Sequence, residues 1–286
     1  MRSARPTSGS RNDGPFASAD VACIPSSIRQ FVNPYRESPP LSANYRWNQS
    51  ELAAAYDRDA DQVHPCYREV QDAILEETAS VLDSGECVVD LGGGSGRLIE
   101  RMLERFPQVT AVLVDQSESF LEIAAQRLHR FGERFRCVVS RLQEDWQQQI
   151  PEPVRAVVSM SAIHHLDPAE KQRCYRQAFR ALAPGGVFAN GDEVRPESDE
   201  DYLAMCRRWG EHMRAGIADS RISPPMAVAC EKWRERNIEQ WDQPRVSGDD
   251  CHETTALQLA YLRTAGFETA RAGWSHELWT VLVARR

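Results

Sequence analysis

The sequence predicts an α/β fold in which a doubly wound, mostly parallel sheet of seven strands carries an inserted helical cap. Short apolar runs alternate with amphipathic helical stretches from about residue 86 onward, and this alternation is typical of a parallel sheet with helices on both faces. A glycine-rich turn, VVDLGGGSGRL at 88–98, directly follows the first run. Residues 195–250 then interrupt the alternation with further helical patterns, which indicates an insertion.

Five short runs rich in β-branched residues predict strands that are buried on both faces. These runs are 87–91, 111–114, 137–139, 156–160 and 187–189. Helical stretches lie between them at about 96–105, 118–131 and 168–183. The third stretch has a clear start signal, because Asp167 precedes Pro168 and Glu170 is placed to reach back to the cap.

The C-terminal part predicts a helix over about 253–265, closed by Gly266, and then two strands at 268–274 and 278–284. Only three residues separate these strands, so they must form an antiparallel hairpin. The cap at 195–250 contains amphipathic patterns at about 199–215 and 224–240. It leaves the sheet at the carboxyl edge, where open α/β sheets bind ligands.

The N-terminal part predicts two helices, at about 49–62 and 66–83, after a segment that we expect to be disordered or extended over 1–43. The net charge of −8 disfavours a nucleic-acid binder that works by phosphate neutralisation alone. No run of about 18 apolar residues or apolar signal region occurs, so we expect a cytoplasmic protein with no membrane segment. The eight cysteines form no CxxC pair, which favours buried free thiols.

The glycine loop indicates which cofactor binds. A dinucleotide loop, G-x-G-x-x-G, counted from Gly92 would need a third glycine where Arg97 stands, and no Lys-Ser/Thr follows, so a P-loop also fails. Asp90 precedes the glycines and suits the cationic ammonium and sulfonium of S-adenosylmethionine (SAM). Asp115, at the end of the next strand, is placed to accept both ribose hydroxyls, a contact that NAD and SAM share. The loop therefore favours SAM.

Five motifs in order resemble the class I, seven-stranded SAM-dependent methyltransferase family over roughly 85–286. They are VVDLGGGSG, VLVDQS, AVVSMSAIHHLDPAEK, LAPGGVFANGD and the ending LRTAGFETA…LWTVLVARR. The resemblance implies the strand order 3-2-1-4-5-7-6 with the last strand antiparallel. This agrees with the hairpin deduced from spacing.

The resemblance also implies a set of cofactor contacts. Those expected are Asp90, Gly92, Gly93, Gly94, Asp115, Gln116, Leu142 and Ser161. Residues 44–84 are expected to cover the cofactor, with Tyr45 or Tyr56 closing the site. Many family members carry an acid after the third strand that contacts the adenine amino group, whereas this chain reads Ser140-Arg141-Leu142. Backbone N–H groups and Leu142 would then hold the ring, or Glu144 or Asp145 would supply a shifted carboxylate.

Side chains at the carboxyl edge are candidates for catalysis and acceptor binding. His164 and His252 are candidate general bases, against the alternative that they only pack or fix a loop. The candidate acceptor contacts are His165, Glu193 (with Asp192 beside it), Trp274 and His276, while Trp209, Trp233 and Trp241 of the cap either line an apolar pocket or pack the helices. Asp249 and Asp250 are expected to complement the dipole of the last helix. A metal site from Asp250, Cys251, His252 and His276 matches no known spacing, so no metal is expected.

The leading functional hypothesis is methyl transfer to a small-molecule acceptor. Methylation of tRNA or a protein is the alternative, for which the arginines at 127, 130, 134, 136 and 141 would form an RNA-binding patch. The amino-methyltransferase motif [DN]PP[YFW] is absent. A SAM-binding regulatory protein without catalysis and an NAD-linked oxidoreductase are the readings from other classes. The acceptor atom and the oligomeric state stay open.

Overall fold

The computed structural model describes residues 46–82, 85–150 and 153–286, so the expectations for the segment 1–43 and for Tyr45 lie outside the described residues. In these ranges seven strands form one sheet in the order β3-β2-β1-β4-β5-β7-β6. The strands are β1 Cys87–Leu91, β2 Thr110–Asp115, β3 Phe135–Val139, β4 Val154–Met160, β5 Leu182–Glu193, β6 Thr269–His276 and β7 Trp279–Arg285. The predicted strand order is confirmed.

The first five strands pair in parallel, and β7 pairs antiparallel with both β5 and β6. The two-residue link after His276 requires β6 and β7 to be antiparallel, because a crossover connection cannot be built from two residues. The carboxyl ends of β1, β2, β4 and β5 therefore meet at one edge of the sheet, and side chains that follow these strands converge there.

Helices cover both faces of the sheet. Along β1, Val88 packs into one apolar core and Val89 into the other, as period-two alternation requires. The helices are α1 Ser50–Val63, α2 Tyr67–Ala79, α3 Arg97–Arg105, α4 Glu118–Leu128, α5 Pro168–Ala181, α6 Asp199–Ala218, α7 Pro224–Arg234 and α8 Thr255–Ala265. The predicted capping box is present at the start of α5, where Asp167 accepts from the Glu170 N–H and Glu170 accepts from the Asp167 N–H.

Several element boundaries differ from the sequence expectations, among them the starts of β5 and of the last helix. β5 begins at Leu182, well before the expected start at 187, and so it includes the Pro184-Gly185-Gly186 segment. The last helix begins at Thr255, with the Thr254 side chain as its N-cap, and not at 253. A threonine hydroxyl that accepts an N–H of the first turn fixes the helix start better than the preceding acids do.

The predicted cap packs on the N-terminal helix as well as on the sheet edge. Trp209 of α6 donates its indole N–H to the Val63 carbonyl at 3.0 Å. The Asp59 carboxylate accepts from the Ser223 backbone N–H at 2.8 Å, just before α7. The Trp209 and Trp233 rings stack with centroids 5.9 Å apart. Cap and N-terminal helix thus enclose space above the glycine loop.

Within the described ranges, no helix has the length and apolar character needed to cross a membrane. The cysteines of those ranges, Cys66, Cys87, Cys137, Cys174, Cys206, Cys230 and Cys251, form no disulfide, as the sequence predicted.

Candidate functional site

The glycine loop leaves β1 in a backbone conformation that only glycine adopts easily. Gly92 and Gly94 have φ angles of 67° and 53°, and the Gly92 N–H donates to the Val114 carbonyl at 2.7 Å. A Cβ atom built on Gly92 would lie 2.5 Å from the Ala162 Cβ, and one on Gly93 would lie 2.6 Å from Oδ2 of Asp90. Side chains are excluded here, so a ligand can approach the backbone closely.

Asp90 is a buried carboxylate at the cavity, and its environment suits a cationic ligand. It is 1% exposed and lines the cavity above the loop, and neither carboxylate oxygen has a hydrogen-bond partner among the described residues. Burial, with a smaller contribution from the charge of Asp115, raises the pKa of its carboxyl to about 8. A buried polar group of this kind is costly unless a ligand satisfies it. The ammonium of SAM fits this requirement.

The Asp90→Asn substitution is expected to have opposite effects on stability and binding. In the unfolded chain the carboxyl has its ordinary pKa of 3.8, whereas in the folded, free protein the pKa is about 8. Folding therefore takes up a proton between these values, and stability falls as the pH rises from about 4 to 8. Asparagine removes this penalty, so the free variant should melt at a higher temperature than the wild type at pH 8 and differ less at pH 5.

The same variant should bind S-adenosylhomocysteine, the demethylated product of SAM, more weakly, because the charged partner of the ammonium is lost. Thermal melts at the two pH values and calorimetric titrations measure both effects. Asp145→Asn, at an exposed carboxylate that pairs with Arg173, is the control. A lower melting temperature of Asp90→Asn at pH 8 would contradict this interpretation.

Asp115 is held in a fixed orientation at the end of β2. Its carboxylate accepts from the Gly94 N–H at 2.9 Å and from the Ser117 N–H at 2.7 Å. Burial raises its pKa to about 6, and the backbone hydrogen bonds limit that rise. A carboxylate has about four acceptor positions, so these backbone hydrogen bonds leave it capacity to accept from a ribose hydroxyl.

One continuous cavity of about 370 Å³ extends from the glycine loop to the cap, a volume within the usual range of ligand pockets. All expected cofactor residues in the described ranges line it: Asp90, Gly92, Gly93, Gly94, Asp115, Gln116, Leu142 and Ser161. Its far end is lined by Trp209, Met213, Met226, Ala229, Cys230 and Trp233. Trp209 and Trp233 also stack on each other, so these two side chains both line the cavity and pack the cap helices. Trp241 lies instead in a second, smaller cavity.

The expected shifted carboxylate for adenine is not at the cavity. Glu144 and Asp145 do not line it, because Asp145 pairs with Arg173 and accepts from the Gln177 amide. Ser140, Arg141, Leu142 and Gln143 line this part of the cavity. This region therefore offers an adenine ring the Leu142 side chain, backbone groups and the polar residues Ser140, Arg141 and Gln143, and not the carboxylates of Glu144 and Asp145.

The N-terminal helices close the cavity from above. Trp47, Tyr56, His64 and Tyr67 line it, and the Trp47 ring packs edge-on against Tyr56 with centroids 5.0 Å apart. An ion pair holds helix α1 beside the glycine loop. The Asp57 carboxylate of α1 accepts from the Arg127 guanidinium of α4 at 2.7 and 2.8 Å. Trp47 and His64 were missed from the sequence, where they carry no motif.

His164 lies at the centre of the carboxyl edge and is 3% exposed. Its Nδ1 is 2.6 Å from Oδ1 of Asp192, and its backbone N–H donates to the other oxygen of that carboxylate at 2.9 Å. Burial alone would lower the pKa of the ring, but the charges of Asp192 and Glu193 outweigh it and raise the pKa to about 9. The other ring nitrogen, Nε2, lies 3.6 Å from Oδ1 of Asp250.

The other expected side chains of this edge come from separate elements. The Nδ1 atom of His165 lies 3.2 Å from Oδ1 of Asp250, and Nε2 of His252 lies 3.2 Å from Oε2 of Glu193. His164, His165, Glu193 and Asp250 line the main cavity, whereas His252 lines the smaller cavity beside it.

Several expectations for the C-terminal part are wrong. Trp274 and His276 do not line the cavity, because β6 is the outermost strand and lies two positions beyond β5. Asp249 and Asp250 do not serve the dipole of the last helix: Asp249 pairs with Arg236, and Asp250 faces the histidines and accepts from the Asn237 amide.

Comparisons with known proteins agree with this geometry. A family model described as a methyltransferase domain matches residues 88–186. An uncharacterized methyltransferase of Geobacillus kaustophilus is 34% identical over 169 residues, which are 57% of this chain and 74% of that protein. A carboxy-S-adenosyl-L-methionine synthase of Desulfotalea psychrophila is 25% identical over 177 residues, 59% of this chain and 70% of that protein.

Among solved structures, an O-methyltransferase family protein from Burkholderia thailandensis superposes with a TM-score of 0.56 at 18% identity. The match covers 84% of this chain and 62% of that one. At this level of identity the likeness shows a shared fold.

Proposed function

This chain belongs to the class I SAM-dependent methyltransferases, and we propose that it transfers the methyl group of SAM to a small-molecule acceptor held beneath the helical cap. The observation that carries the proposal is the continuity of the cavity. It runs from Gly92 and Asp115 at the cofactor end to Trp209 and Trp233 under the cap. An acceptor that must fit between these ends is small.

The residues of the chain divide into two groups along this cavity. Asp90 holds the ammonium of SAM and Asp115 the ribose, while the backbone of the glycine loop supplies close contacts. SAM supplies an electrophilic methyl group on a sulfonium. The aromatic and sulfur-containing side chains of the cap take the apolar body of the acceptor, since they offer large, rigid contact area. Positioning of this kind accounts for much of the rate in a group transfer.

The nucleophilic atom of the acceptor lies against His164, Glu193 and His165, where polar atoms meet the apolar chamber. Asp192 orients His164 through Nδ1, so that Nε2 is directed to the acceptor. Nε2 of His252 contacts Oε2 of Glu193 at 3.2 Å and helps to hold that carboxylate in place. The free, mostly buried cysteines of the described ranges support the proposal of a reducing, cytoplasmic compartment.

Methylation of tRNA or a protein is less well supported, because three of the five arginines of the candidate basic patch are engaged internally. Arg127 contacts Asp57 and Glu100, Arg130 contacts Glu100, and Arg134 donates to backbone carbonyls. Guanidinium groups that already have partners offer little to a phosphate backbone.

The test is a labelling experiment with SAM that carries a radioactive methyl group. The protein is incubated with a cell extract separated into small molecules, RNA and proteins. We expect a labelled product other than SAM in the small-molecule fraction, and no label in RNA or protein. Replacing Trp233 with alanine should lower the rate of labelling while binding of S-adenosylhomocysteine stays unchanged. Label in RNA or protein would overturn the small-molecule proposal. Tight SAM binding with no label in any fraction would favour the regulatory alternative.

A further inference from the structure

Beside the cavity, three side chains from separate elements direct potential metal ligands at one another. His164 lies in the 3₁₀ helix Ile163–His165, Glu193 ends β5, and His252 lies in the segment between the cap and α8. One ligand atom from each lies within 4.8 Å of the other two. We infer that His164, Glu193 and His252 bind a divalent transition-metal ion.

The first support is that two buried ligand atoms of the cluster, on Glu193 and His252, have few hydrogen-bond partners. Oε2 of Glu193 and Nε2 of His252 contact each other at 3.2 Å, and neither atom makes a hydrogen bond with a third described residue. Their side chains are only 3% and 1% exposed. Each of these buried atoms has only the other as its partner, and an ion that both can ligate would satisfy both.

The second support is the geometry of the triangle. Three atoms no more than 4.8 Å apart enclose a centre that is at most about 2.8 Å from each, compared with Zn–N and Zn–O bonds of about 2.0–2.2 Å. The measured separation of 3.2 Å between Glu193 and His252 already equals that of two ligands on one ion, about 3.4 Å at these bond lengths. Contraction by well under an ångström per side chain therefore suffices.

The third support is how each imidazole is held. Nδ1 of His164 contacts the Asp192 carboxylate at 2.6 Å, and Nδ1 of His252 lies 2.8 Å from the Tyr202 hydroxyl. Metal-ligating histidines usually engage their second nitrogen in this way, which fixes the tautomer and ring orientation. Nε2 is therefore the nitrogen that each ring offers to an ion, although Nε2 of His164 also lies 3.6 Å from Oδ1 of Asp250.

The backbone around the cluster is also tied together. The Cys251 N–H donates to the His164 carbonyl and the Gly248 N–H to the His165 carbonyl, both at 2.8 Å. These bonds hold the segment that carries His252 against the loop that carries His164. The three ligands are therefore held in place by the fold before any ion binds.

Two imidazoles and one carboxylate are the ligand set of many zinc and non-haem iron sites, whereas magnesium and calcium prefer oxygen ligands alone. His164 and Glu193 face the main cavity, so an ion between them has an open position toward the chamber. There it would bind an oxygen of the acceptor and polarise it. This last role rests on the proposed function, whereas binding of the ion does not.

The test uses the full chain after treatment with a chelator. Titration with Co²⁺ should produce visible absorption bands that saturate at one equivalent, Zn²⁺ should abolish them by displacement, and Mg²⁺ should leave them unchanged. Glu193→Gln and His252→Ala should each weaken Zn²⁺ binding by at least roughly tenfold. His129→Ala, at an exposed histidine beyond α4, is the matched control and should bind like the wild type.

Circular dichroism and binding of S-adenosylhomocysteine verify that each variant is folded. Absence of the cobalt bands in the folded wild type would overturn the metal site, as would variants that bind Zn²⁺ as tightly as the wild type. Failure of the metal site would leave the labelling result untouched. Failure to label any fraction would leave the cobalt titration untouched.

Discussion

Replacing Asp115 with alanine is expected to raise the dissociation constant for S-adenosylhomocysteine at least 100-fold. Two ribose hydroxyls would lose a charged acceptor, and each such hydrogen bond contributes about 1.5–3 kcal/mol, with 1.4 kcal/mol equal to a factor of ten. The Gly94 and Ser117 N–H groups would lose their acceptor as well, so the loop itself would loosen. Calorimetric titration measures the effect.

The control for this prediction is Asp145→Ala, which removes a carboxylate that lies outside the cavity. Thermal melts of both variants separate loss of binding from loss of fold. Binding by Asp115→Ala within threefold of the wild type would mean that the ribose lies elsewhere.

Replacing Gly93 with valine is expected to abolish cofactor binding and to destabilise the fold. Its Cβ would lie 2.6 Å from Oδ2 of Asp90 and 2.7 Å from the Leu113 side chain, so the loop must move. Overpacking of this kind costs about 1–3 kcal/mol. For a chain of this size that corresponds to a melting temperature lower by roughly 2–10 °C.

Gly132→Ala is the matched control, because a Cβ there meets nothing within 4 Å and the residue lies away from the cavity. It should retain binding of S-adenosylhomocysteine despite the positive φ angle of that position. Normal binding and an unchanged melting temperature for Gly93→Val would contradict the steric clash expected at this position.

The sequence predicts the sheet well because its signals are local. Apolar runs such as 87–91 reveal strands buried on both faces, and the three-residue link before 278 leaves no alternative to a hairpin. The cap is recognised as an interruption in a regular alternation. The cofactor end of the site follows for the same reason, since Asp90, the glycines and Asp115 stand at fixed positions after their strands.

The acceptor end is harder to predict because it depends on contacts between residues that are distant in the chain. Glu193 and His252 meet across 59 positions, and His64 enters the cavity only because α1 packs against α6. Trp274 and His276 were misplaced because a hairpin tip near the carboxyl edge need not reach the cavity from the outermost strand. His252 precedes the last helix because the Thr254 cap sets where that helix begins.

The most direct test of the central claim is a crystal structure of the full chain with S-adenosylhomocysteine. We expect both ribose hydroxyls to bind the Asp115 carboxylate and the ammonium to lie at Asp90. The sulfur should face the chamber between His164 and Trp233. A cofactor whose sulfur points to solvent, or whose ribose lies away from Asp115, would contradict the account.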